Sequence, residues 1–139
     1  MTSQLSTPLD DVGKLVLRLA LGILILLHGI AKLIHGIGFI ENLVMGLGLP
    51  AFFAWAVYVG EVIAPIAVII GIYTRIGGIL IALNMLVAIA LVHAQEIFQL
   101  SKSGGWQLEL QGMFLFGAIA VALLGAGRFS VGGANGKYN

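Results

Sequence analysis

The chain has 139 residues, of which 60% are hydrophobic and only 9% charged, with a mean hydropathy of +1.08. A soluble domain carries about 25% charged residues, so this composition excludes an ordinary soluble fold and describes a small multi-pass membrane protein. A net charge of +1 offers no basic stripe for nucleic acid, and the absence of Cys excludes disulfides, thiolate nucleophiles, c-type haem attachment and Cys-ligated iron–sulfur clusters.

Residues 1–12 form a short N-terminal segment, and the first apolar stretch covers residues 13–34. A cleaved signal peptide would have a shorter apolar core and a basic residue ahead of it, and no Lys or Arg precedes Gly13. Residues 39–47 place apolar side chains along one helical stripe. This segment is too short to span, so a helix lying in the headgroup region is expected. After the turn at residues 46–50, a second span covers residues 51–73 and contains Pro65, whose freed carbonyl neighbouring helices can satisfy. A third span covers residues 77–98 and a fourth residues 106–125, opened by Trp106 as an interfacial anchor. The expectation is an all-α protein: a four-helix transmembrane bundle over residues 13–127, a short interfacial helix after the first span, and a tail at residues 128–139. Lys14, Arg18, Arg75, Arg128 and Lys137 fall on the side of the termini, against Lys32 and Lys102 on the other. That asymmetry predicts both termini in the cytoplasm.

Ionisable residues inside spans are costly, so they face the bundle interior or a cavity and are functional candidates by default. At about 100° per residue, Arg18, His28, Lys32 and His35 share one arc of the first helix, with Gly22, Gly29 and Gly36 on or beside it. Arg18 is expected to snorkel toward the interface along its stem. In the third helix Asn84 and Gln95 align, whereas His93 falls on the opposite face. A rise of about 1.5 Å per residue sets Glu61 near the midplane and His28, His93 and Glu109 within roughly 10 Å of it on one side. His28, Lys32, Glu61, His93 and Glu109 are therefore the expected polar pocket in the outer half of the bundle. Arg18, Asn84, Gln95 and Gln111 are its supporting polar residues. No metal is assigned, because no tight ligand spacing is present.

These residues sit in a pattern that resembles the DoxX family of small four-helix membrane proteins, over nearly the whole chain after Val12. It is carried by Leu17-Arg18-Leu19-Ala20-Leu21-Gly22, then His28-Gly29-Ile30-Ala31-Lys32-Leu33, Gly60-Glu61 and Gly71-Ile72-Tyr73-Thr74-Arg75. Ala88, His93, Glu109 and Gly127-Arg128-Phe129-Ser130 continue it. The pattern departs at Ala126, where the family has Pro, and at Val131-Gly132-Gly133, where it has an acidic ending. The resemblance implies a bacterial-type inner-membrane protein, some of whose relatives are membrane parts of quinone-linked oxidoreductases. Two readings stand first, ahead of a metal or haem site using His28 and His93 with Glu61 or Glu109 and of a transporter. One is the membrane subunit of a quinone-linked redox system, with a quinone as cofactor and a redox partner protein. The other is a non-enzymatic binding or assembly module that holds a lipid, a small solute or a partner, with a homo-oligomer compatible with either.

Overall fold

The computed structural model describes residues 7–139. Residues 1–6 of the expected N-terminal segment lie outside the described residues. The remainder of that segment is helical: α1 runs Pro8–His35, five residues earlier than the apolar pattern alone indicates. Thr7 caps it, accepting from the Asp10 amide while the Asp10 carboxylate accepts from the Thr7 amide, and Pro8 fits the first turn, where no N–H is needed. The expected short helix is α2, Gly38–Gly46. α3, α4 and α5 then cover Ala51–Ile70, Thr74–Val92 and Glu109–Leu124.

α1, α3 and α4 are each long and apolar enough to cross a membrane. α5 is as apolar but has 16 residues, about 24 Å of helix. The fold is therefore an all-helical transmembrane bundle. Among the described residues there is no strand, only a lone bridge between Leu100 and Trp106. α1 packs on α3 and α5, and α4 on the same two, so the four helices close a ring. Leu21 and Ile25 of α1, Val68 of α3, Ile81 and Met85 of α4, and Phe114 and Ala118 of α5 fill its centre. A satellite core of Ile37, Val44, Ala54 and Val57 joins α2 to the start of α3.

Small residues bring the helices close. Gly22 and Gly29 of α1 are buried as their shared arc predicts, and Gly77 and Gly78 seat α4 on α3 and α5. Gly36 is not part of that interface. It ends α1 in a positive-φ conformation and is exposed.

α3 ends at Ile70 rather than 73 and α4 begins at Thr74 rather than 77, and at the other end of the bundle two boundaries differ for local reasons. α4 stops at Val92 rather than running to residue 98, because the chain turns at His93 into a short 3-10 segment, Ala94–Glu96. The fourth helix begins at Glu109 rather than 106. Trp106 belongs to the preceding loop, where its indole N–H donates to the Ile97 carbonyl at 2.7 Å and its ring rests on Gly112.

At the end of the bundle where α1 begins, two arginines close two helices. Arg18 is 1% exposed and donates to the carbonyls of Val68, Ile69, Ala126 and Phe129 at 2.7–3.0 Å. It does not snorkel. Its guanidinium satisfies the last carbonyls of α3 and lies at the negative end of that helix. Arg75 does the same for α5 through the Ala122 and Leu123 carbonyls. The tail folds back over both: buried Asn139 accepts from the Thr74 amide and hydroxyl and donates to the Gly71 and Gly133 carbonyls. Asp11, also buried, pairs with Arg128 at 3.1 Å.

Candidate functional site

The opposite half of the bundle is built around one proline. Pro65 has no N–H to offer the carbonyl four residues earlier, that of Glu61, and its ring crowds that oxygen. The chain widens into a π turn over Val59–Ile63, in which the Ala64 amide donates to Val59 instead. Such turns shift the register of a helix and re-aim the side chains within them. Here the side chain is Glu61.

Two glycines let the neighbouring helices reach this turn. A Cβ on Gly29 would lie 2.1 Å from the Glu61 carbonyl oxygen, so only glycine allows α1 to pass there. Gly60 plays the same part toward α4, where a Cβ would lie 2.4 Å from that of Asn84. Glu61 is consequently held from both sides. Lys32 Nζ of α1 donates to its Oε2 at 2.5 Å, and Asn84 Nδ2 of α4 donates to its Oε1 at 3.2 Å. The Glu61 side chain is 7% exposed and that of Lys32 28%. Lys32 is further fixed by its own helix end, since its carbonyl accepts from the Gly36 amide and the Tyr58 hydroxyl.

This cluster forms the wall between two cavities. The larger, about 490 Å³, lies between α2, the first half of α3 and α4, and its lining is apolar apart from Lys32, Glu61, Asn84 and His93. The smaller, about 180 Å³, lies between α1, α4 and α5 and adds His28 and Gln111 to Lys32, Glu61 and His93. His28 stands edge-on to Phe114 with ring centroids 5.7 Å apart. An apolar chamber of several hundred Å³ with a few convergent polar groups is the usual form of a small-molecule site.

His93 borders both cavities, which the helical wheel of α4 does not foresee. The wheel assumes that the helix continues, and it ends one residue earlier. In the turn, His93 Nδ1 sits 2.9 Å from Glu96 Oε2 and Nε2 sits 3.3 Å from Gln111 Nε2. Both ring nitrogens are thus engaged, one by the Glu96 carboxylate and the other by the Gln111 amide. Glu96 thus joins the group through its place three residues after His93. The visible signal for the π turn was Pro65, four residues after Glu61.

Of the expected pocket residues, His28, Lys32, Glu61 and His93 come together, with Asn84 and Gln111 beside them. Glu109 does not join them. It is the first residue of α5, exposed, with its carboxylate against Gly105, and it borders neither cavity. Gln95 is exposed beyond the end of α4, and Arg18 works at the other end of the bundle. Among the described residues, no three His, Asp or Glu side chains converge as a metal-binding set.

Lys32 Nζ uses one of its three N–H groups on Glu61 and borders a chamber whose lining, beyond Glu61, Asn84 and His93, is aliphatic and aromatic.

The model of the DoxX family matches residues 13–94, a stretch that holds Lys32, Glu61, Asn84 and His93 and ends before α5. A protein of Bacillus subtilis (strain 168) named "Putative oxidoreductase CatD" is 32% identical over 116 residues, covering 84% of this chain and 81% of that one. No solved structure matches the chain.

Proposed function

This chain belongs to the DoxX family of membrane proteins, and from that premise we propose that it is the membrane subunit of a quinone-linked redox system. The observation that carries the proposal is the Lys32–Glu61 pair set into the wall of a large apolar cavity. A relative bearing an oxidoreductase name supports the redox direction.

The residues present fit a quinone head. Lys32 and Asn84, each with an N–H beyond the one given to Glu61, supply hydrogen-bond donors at the cavity wall, and the surrounding aliphatic side chains exclude water. A quinone, when bound, supplies an acceptor for two electrons and two protons. The chain's own work is to position and to move protons. Glu61, held by Lys32 and Asn84, fixes the ammonium group in place. His93 touches both cavities and Glu96, so it connects the cavity wall to a carboxylate beyond the end of α4. Intramembrane Glu and His chains of this kind serve as proton relays. With no Cys in the chain, electrons come from a small substrate or from a redox partner protein. The excess of Lys and Arg on the termini side supports placing that side in the cytoplasm and the cavities toward the outer face of a bacterial inner membrane.

A photoreactive quinone analogue tests this reading. It should label peptides spanning residues 56–61 and 83–93, which line the larger cavity. Labelling confined to the lipid-facing surface of α1 would overturn it. The second reading, a binding module for a lipid without redox chemistry, is favoured by the mostly apolar lining of the same cavity. It predicts that an ordinary membrane lipid protects against labelling as well as a quinone does.

A further inference from the structure

Resting on the quinone reading, we infer that the larger cavity opens sideways into the hydrocarbon of the bilayer, and that its ligand is a tailed lipid quinone whose chain leaves between α2 and α4. Leu83 and Val87 of α4 and Phe39 of α2 form the rim and select for the tail.

α4 presents two adjacent ridges to the cavity, each repeating every four residues along the helix. Leu80, Asn84 and Ala88 form the inner one and are half-buried. Leu83 and Val87 belong to the outer one and are 52% and 55% exposed although they line the cavity. Across from them Phe39 is 64% and Phe53 49% exposed. Side chains that line a chamber and remain this exposed stand at its mouth.

The depth of that mouth decides what passes through it. Leu83 and Val87 lie nine and five residues before the end of α4 at Val92, about 14 and 8 Å along the axis. At that depth the medium is acyl chain and not water. The polar groups lie on the inner side of the same cavity, since Glu61 accepts from Asn84 of the inner ridge and from Lys32. A ligand seated with its head at those groups and its body in the mouth needs a hydrogen-bonding head joined to a long hydrocarbon chain. A tailless ligand fills the inner part alone and leaves the mouth to lipid.

The test compares a tailless benzoquinone with its polyprenylated homologue, bound to the full-length protein in nanodiscs and quantified by mass spectrometry after gel filtration. The Leu83→Trp/Val87→Trp double variant narrows the mouth. Both side chains are lipid-facing, so the larger indole has room outside the core. Leu86→Trp is the control, because Leu86 is half-exposed on the same helix and does not line the cavity. The double variant should lose about tenfold or more in affinity for the polyprenylated quinone, while binding the tailless one as the unaltered protein does. Leu86→Trp should change neither. Equal loss of both quinones, or no loss of either, overturns the inference while leaving the quinone reading in place. An unaltered protein that binds neither quinone overturns that reading, and the inference with it. If the double variant fails to fold, Phe39→Trp narrows the same mouth from the opposite rim, on a helix outside the main core.

Discussion

The two ends of the bundle use the same residue types to opposite purpose. At the end where α1 begins, Arg18 spends four of its N–H groups on four backbone carbonyls, and Arg75 closes α5 in the same way. The Asn139 side chain makes four hydrogen bonds in a buried niche. At the other end Lys32 makes one side-chain hydrogen bond, to Glu61, and both face cavities. A buried cation inside a membrane protein is therefore not by itself a sign of a site. What distinguishes the two cases is whether the donors are consumed by helix ends or left facing open volume.

Replacing Arg18 should have the largest structural effect. Arg18→Met strands four carbonyls in a buried place, and a buried unsatisfied group costs about 1–3 kcal/mol each, so a loss on the order of 3 kcal/mol or more is expected. Arg18→Lys should recover only part of it, because a single ammonium cannot reproduce the planar fork. Thermal unfolding in detergent reads both; equal stability of Arg18→Met and the unaltered protein would refute the capping role. Next comes Gly29→Val, which drives a side chain into the Glu61 backbone. Overpacking of this kind costs about 1–3 kcal/mol. It should also separate Lys32 from Glu61, so loss of stability and loss of bound ligand should appear together.

Glu61→Gln sharpens the contrast from the other side. It keeps the shape and the Asn84 contact but removes the charge that holds Lys32. Unfolding temperature should shift far less than in Arg18→Met, while ligand retention falls about tenfold or more. The smallest effect is expected of Gln111→Leu, which removes one donor from His93 and changes stability by about 1 kcal/mol. Labelling of the larger cavity should survive it, because Gln111 borders only the smaller one.

Much of the fold was legible in the sequence because bilayer thickness dictates span length, and the polar residues stand out against an apolar background. The gathering of His28, Lys32, Glu61 and His93 followed from depth along the axis. Their angular placement did not follow as well. The wheel misplaced His93 because α4 ends at Val92, and a helix end in an apolar run carries no strong local signal. Glu109 has the right depth, but it opens α5 and turns toward the loop. The sequence pattern makes Arg18 an interfacial cation because it does not show which carbonyls a helix end leaves open nearby. The π turn at Glu61 was foreshadowed only by Pro65, and its consequence depended on Gly29 and Gly60 from across the packing.

The most direct test of the account is the quinone content of the purified protein, measured by solvent extraction and mass spectrometry beside Glu61→Gln and Arg18→Met. Quinone near one per chain is expected in the unaltered protein, lost from Glu61→Gln while that variant stays folded. Quinone absent from the unaltered protein, or retained in full by Glu61→Gln, would contradict the quinone reading.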